Sequence, residues 1–269
     1  MDSASQYLRS GHKKVEGWLD VSSARYIFEL AKLQNESGKG GAAVEIGVHH
    51  GKLFTLMHLA GSRTRDLAID VFDFQNFNTD RSGRGDRARF EENLTNYGGD
   101  LEKVTIWEKS SQSVTGEDII AEVGQVAMFS VDGGHTRELV LNDLKLADAS
   151  LRDDGIVILD DFFNEYWPEV SIGSVEYFND PASRLKPFAI SPGKMYLCAP
   201  QWNAFYRENL RKRVAPWEYD KDVEMFGVTV QLMGTATWKK SALNRALWRV
   251  KDAIKASPVG FLFKRAAGK

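Results

Sequence analysis

Residues 126–163 run VAMFSVDGGHTRELVLNDLKLADASLRDDGIVILDDFF. An apolar run, Val126 to Val131, ends in Asp132, and His135 follows three residues on. A helix-like segment comes next. A second apolar run, Gly155 to Leu159, then ends in the pair Asp160–Asp161. Two parallel strands that each end in carboxylate bring three acids to one sheet edge. That edge is where open α/β folds bind ligands. Three clustered carboxylates repel one another unless a cation sits among them. The pattern points to a divalent-metal site with a histidine beside it.

The same alternation extends outward on both sides. Residues 22–37 have helical spacing at Tyr26, Phe28, Leu30, Ala31 and Leu33, and a Gly-rich SGKGG turn follows. Ala42 to Val48 reads as a buried strand leading into GVHHGK, and residues 52–60 suit a helix. Leu67 to Phe72 and Val104 to Trp107 read as further strands. A polar loop between them turns helical near Arg87, and residues 114–123 form another helix. Alternating strand and helix means a parallel sheet with right-handed crossovers. After Asp161 the pattern shifts. Residues 168–180 look helical, and PFAISPGKMYLCAP reads as two short antiparallel strands around a Ser-Pro-Gly turn. Residues 202–214 suit a helix, and Val223 to Met233 a further strand.

The chain has 269 residues, 43% of them hydrophobic and 27% charged, which suits one sizeable core with extensions. The expected organisation is a helical extension over 1–38, a core over 39–200, an extension of that core over 201–238 and a basic amphipathic tail over 239–269. The net charge of −2 argues against a nucleic-acid binder. Cys198 is the only cysteine, which excludes an internal disulfide and a thiolate metal cluster. With no apolar leader near the N-terminus and no run long enough to span a bilayer, a cytoplasmic setting is the expectation.

Glu45-Ile46-Gly47-Val48-His49-His50-Gly51 stands between a strand and a helix. Glycines here let the backbone approach a ligand, and the helix N-terminus offers free N–H donors. The dinucleotide spacing G-x-G-x-x-G is absent, which disfavours a nicotinamide oxidoreductase. The E-x-G-x-x-x-G pattern resembles the first motif of class I S-adenosylmethionine-dependent methyltransferases. Asp132-x-x-His135, the helix, the Gly-Ile-Val leader and Asp160–Asp161 resemble the metal-dependent O-methyltransferase branch that acts on sugars and small natural products. The resemblance covers roughly residues 40–200, with the motifs in order.

That resemblance implies a Rossmann-like α/β methyltransferase fold. Its mostly parallel seven-stranded sheet would end in an antiparallel hairpin, with helices on both faces. It implies that Glu45, Gly47, Gly51, Asp70 and Ser110 bind S-adenosylmethionine, with Asp73 the rival to Asp70 for the ribose hydroxyls. It also implies that Asp132, Asp160 and Asp161 hold the cation and that His135 is the base. Oxygen ligands select Mg²⁺ or a similar ion. The implied reaction is methyl transfer to a hydroxyl of a sugar, glycan precursor or small natural product. A metal-independent methyltransferase and a non-catalytic scaffold on the same fold are the alternatives.

Phe162, Phe163, Tyr166 and Trp167 follow the acid pair, either as walls for an acceptor or as packing. The loop from Phe74 to Asp86 suits a lid over the ligands. In the tail, Leu243, Ala246, Leu247, Val250 and Ile254 share a helical face, and basic residues such as Arg245, Arg249 and Lys251 point elsewhere. Such a helix docks on its own domain or on a partner subunit in a homo-oligomer. Alternatively it meets the inner face of the membrane as a peripheral contact.

Overall fold

A computed structural model describes residues 2–61, 65–74 and 83–235, together with Ala246, Val250 and Ala253. Most of the expected amphipathic face of the tail, Leu243, Leu247 and Ile254, and most of the expected lid, residues 75–82, lie outside the described residues.

Five strands alternate with helices through the first two-thirds of the chain. They are β1 (Ala42–Ile46), β2 (Asp66–Asp70), β3 (Val104–Glu108), β4 (Val126–Val131) and β5 (Leu151–Asp160). All five run parallel, in the order β3-β2-β1-β4-β5. The hairpin of β6 (Lys186–Ser191) and β7 (Lys194–Cys198) closes this part, with β7 antiparallel to β5.

The sheet then continues, so the seven-stranded expectation is corrected to nine strands. The stretch read as one strand over Val223–Met233 is the second half of a hairpin, β8 (Tyr219–Met225) and β9 (Val228–Met233). Phe226 and Gly227 form its turn at φ +50° and +78°. Two left-handed residues in sequence give the twist that two-residue hairpins need. The apolar letters of Met225-Phe226-Gly227-Val228 conceal that turn. β9 pairs parallel with β6, so the hairpin extends the sheet edge.

Helices cover both faces. On one side lie α1 (Ser3–Arg9), α2 (Val21–Glu36), α3 (Lys52–Ala60) and α8 (Asn203–Arg213), with Ala43, Met128, Ile156 and Ile158 pointing toward them. α5 (Gly116–Val123), α6 (Arg137–Ser150) and α7 (Pro168–Asn179) lie on the other, against Val44, Ile46, Val157 and Leu159. Successive residues of β1 and β5 thus serve opposite faces, as the period of a strand dictates. Burial on both sides explains why these strands read as continuous apolar runs. α4 (Arg87–Asn96) packs Phe90 and Leu94 onto Phe54 and Phe72.

Residues assigned from sequence to the N-terminal extension are built into this core. Tyr7 and Tyr26 are fully buried, and the Tyr7 hydroxyl donates to the carbonyl of Lys52 at 2.8 Å. Among the described residues no helix is long and apolar enough to cross a membrane.

Candidate active site

Strand register assembles the site. Ile69, Ile46, Val131 and Leu159 lie side by side across β2, β1, β4 and β5. The next residue in each chain is Asp70, Gly47, Asp132 and Asp160. One row of the sheet therefore ends in a ribbon of three acids and a glycine. Above it opens a cavity of about 960 Å³, lined by Glu45, Gly47, Asp70, Ser110, Asp132 and His135 among others. Its size is in the range of small-molecule sites.

The glycine turn forms one wall. Gly47 has φ +85° and donates to the carbonyl of Ile69 at 2.9 Å. Gly51 has φ +80°, and a Cβ there would lie 2.4 Å from the Phe90 ring. His49, also left-handed, donates its N–H to Asp70 Oδ2 at 2.7 Å, and Phe72 N–H donates to Asp70 Oδ1 at 2.7 Å. Burial raises the Asp70 carboxyl above its ordinary value, against these backbone donors. Each oxygen keeps a lone pair for a further donor. Asp73 is exposed and lies outside the cavity lining.

The segment before α2 covers the turn. Lys52 Nζ donates to the carbonyl of Gly17 at 2.6 Å. His49 and His50 stack at 4.0 Å, and His50 Nδ1 lies 3.5 Å from Glu16. Ser110 caps a short 3₁₀ turn after β3 and lines the cavity opposite this segment.

Glu45 is buried on β1. Its Oε2 has no hydrogen-bond partner among the described residues. Burial pushes this carboxyl up to about 8, against the nearby Lys194 charge. A protonated or cation-seeking carboxyl thus faces the cavity beneath the glycine turn.

The acid cluster forms the opposite wall. Sequence reasoning assigned no role to Lys194, yet it lies at the centre. It is 4% exposed, and its Nζ donates to Asp132 Oδ2 at 3.2 Å and, more closely, to Asp160 Oδ2. Lys194 opens a wholly buried strand and stands opposite Asp160 in the β5–β7 pairing.

Burial raises Asp160 well above the ordinary carboxylate range, and the Asp132 charge adds to it. Burial also raises Asp132, against the pull of Lys194. Burial opposes the Lys194 charge as well, but Asp132 and Asp160 outweigh it and keep the amine protonated.

Asp161 behaves differently. Its φ of +57° turns it out of the strand. Its Oδ2 lies 3.3 Å from His135 Nε2, and Asn164 donates to its Oδ1 at 2.9 Å. Burial opposes ionisation here, yet these two partners outweigh it and hold the carboxyl below its usual value. Trp167 stacks on the His135 ring at 4.3 Å, and Tyr166 packs edge-on against Trp167. Both aromatic residues line the cavity, whereas Phe162 is buried against Phe178 and Phe226. Phe163 is exposed beside a smaller cavity of about 290 Å³.

The donor set suits a divalent cation. Ligand atoms of Asp132, His135 and Asp161 lie within 4.8 Å of one another. Three carboxylates against one ammonium leave the cluster negative. The glycine wall suits S-adenosylmethionine on one observation: the buried Glu45 oxygen that has no hydrogen-bond partner among the described residues belongs to a side chain lining the cavity.

Residues 44–162 match the family model described as a methyltransferase domain. That segment runs from β1 to just past β5 and carries every site residue anticipated from sequence. That stretch is therefore similar to a methyltransferase domain, and the sheet order and helices are of the Rossmann-like α/β type. Solved structures share the fold. The O-methyltransferase NovP aligns with a TM-score of 0.54 at 16% identity, over 66% of this chain and 80% of NovP. The MycE methyltransferase of the mycinamycin biosynthetic pathway, in complex with Mg, SAH and mycinamycin VI, aligns at 0.51 and 14% identity, over 74% of this chain and 54% of MycE. Cofactor-bound Rv0187 from MTB aligns at 0.50 and 12% identity, over 73% and 88%. Comparison with curated proteins by sequence gave no match.

Proposed function

We propose that this protein transfers a methyl group from S-adenosylmethionine to a hydroxyl oxygen of a sugar, glycan precursor or small natural product, assisted by Mg²⁺ or a similar cation. One observation carries the reading. The glycine turn and the acid cluster are successive ends of adjacent strands, so a donor on one wall meets an acceptor on the other. MycE, similar in fold, is in complex with Mg, SAH and a natural product.

Gly47, Gly51 and the α3 N-terminus would receive the amino-acid part of the donor, with Glu45 facing its ammonium. Asp70 and Ser110 would receive the adenosine part. The bound donor supplies an electrophilic sulfonium methyl. Asp132 and Asp161 would hold the cation, which when bound supplies Lewis acidity toward a hydroxyl. His135 Nε2 stands beside both carboxylates and would take the hydroxyl proton. Asp161 would stabilise the imidazolium so formed, and Trp167 fixes the ring plane. Much of the acceleration would come from holding two reactants in an attack geometry. Tyr166 and Trp167 would wall the acceptor.

The test is incubation with labelled S-adenosylmethionine, Mg²⁺ and fractionated metabolite and glycan extracts, with and without chelator. The expected result is label on a hydroxyl oxygen, lost on chelation. Label that survives chelation identifies the metal-independent alternative. Absence of both cofactor binding and label refutes the enzyme reading.

A further inference from the structure

We propose that Lys194 is a positioning residue, a resident cation that engages Asp132 and Asp160 so that a divalent ion is received on the Asp132–Asp161 side, next to His135, and not by Asp160. The proposal rests on the metal-assisted reading above. It revises the ligand set implied by the sequence motif.

Main-chain pairing fixes Lys194. Antiparallel register sets it directly opposite Asp160. The side chain is buried at the lining of the cavity, 4% exposed. A charge in that position persists only when paired and hydrogen-bonded.

Both oxygens of Asp160 are already engaged. Oδ2 accepts from the Lys194 ammonium, and Oδ1 accepts the Asp161 N–H at 2.9 Å. A metal bound by Asp160 would have to share an oxygen with one of these donors, and its charge would stand against the ammonium. Asp161 faces the other way. Its left-handed backbone carries its carboxylate toward His135, and the atoms close enough to share an ion belong to Asp132, His135 and Asp161. Asp132 is common to both arrangements, since Lys194 touches only its Oδ2 at 3.2 Å.

The consequence is electrostatic. The ammonium neutralises one of the three carboxylates, and it repels any divalent ion that enters beside it. Lys194 therefore lowers cation affinity while it holds Asp132 in place. A residue that served folding alone would not tighten metal binding when removed.

Isothermal titration of Mn²⁺ into the full-length protein tests this, with circular dichroism on each variant. Wild type, Lys194→Met, Asp161→Asn and the double variant Asp160→Asn/Lys194→Met are compared. The double variant removes both members of the buried pair, which protects against misfolding from an unpaired charge. Lys194→Met should bind Mn²⁺ about tenfold more tightly than wild type or better. The double variant should bind at least as tightly as wild type, and Asp161→Asn should lose about tenfold or more. A folded double variant that loses Mn²⁺ as Asp161→Asn does makes Asp160 a ligand and overturns the proposal. Unchanged affinity in Lys194→Met, against a wild type that binds, overturns it alone. No Mn²⁺ binding in any protein, wild type included, refutes the metal-assisted reading and the proposal together.

Discussion

The Cβ that Gly47 lacks would lie 1.8 Å from the carbonyl oxygen of Asp132. The donor-side turn and the acid cluster are therefore in backbone contact. Asp132 N–H donates to the carbonyl of Ile46 at 3.0 Å, which locks the two strand ends at this separation. Any residue larger than glycine must push the two walls of the site apart.

Gly47→Ala should accordingly be among the most damaging single substitutions. It combines a backbone clash with a left-handed φ of +85°, and the second effect alone costs about 1–3 kcal/mol. Thermal denaturation should show a clear drop in Tm, and titration should show loss of S-adenosylmethionine binding. Retention of both would mean that the turn tolerates displacement and that its contact with Asp132 is incidental.

His135→Gln should separate chemistry from binding. The imidazole lies beside Asp161 and is held by Trp167, away from the glycine turn. Loss of a general base typically costs roughly 10²–10⁴ in rate. Turnover should fall in that range while S-adenosylmethionine affinity stays close to wild type. A variant with undiminished turnover removes His135 from the proton path.

The placement of these residues is largely legible in the amino-acid sequence. Apolar runs that end in Asp132 and Asp160 mark strand ends, and alternation with helices makes the strands parallel. The rest depends on contacts that a one-dimensional pattern does not display. Lys194 reaches the cluster only because β7 folds back on β5, and its own neighbours in sequence are apolar. Phe226 hides a turn because an aromatic rarely adopts a left-handed backbone. Phe162 reads like its neighbour Phe163, and only tertiary packing separates the buried ring from the exposed one.

Asp143 gives a pH-dependent test of the scaffold beneath the site. It is buried on α6, and its Oδ2 has no hydrogen-bond partner among the described residues. Burial pushes its carboxyl up to about 6, against Ser111 and Asn142. In the unfolded chain the group titrates near 4. The folded state thus keeps a proton that the unfolded state has released, and stability from this group is fully present below about pH 4 and lost as pH rises through 6. Asp143→Asn removes that loss. Its Tm relative to wild type should rise between pH 5 and pH 8, as read by paired thermal melts. A difference that is constant across this range would show that the carboxyl ionises freely in the fold.

Glu45 ties cofactor binding to proton release. Free of ligand, its carboxyl sits at about 8 and is mostly protonated at neutral pH. An ammonium group placed against it favours the carboxylate, so its value falls when the donor binds. Binding must then expel a proton to solution near pH 7. Titration calorimetry in buffers of different ionisation enthalpy measures this directly. Wild type should release a substantial fraction of one proton per S-adenosylmethionine bound, and affinity should increase from pH 6 toward pH 7.5. Glu45→Gln should abolish the buffer dependence and flatten the affinity profile over that range. Equal binding heats in all buffers for wild type would show that the donor's ammonium is received elsewhere, and the orientation assigned to the cofactor along the glycine turn would have to be reversed.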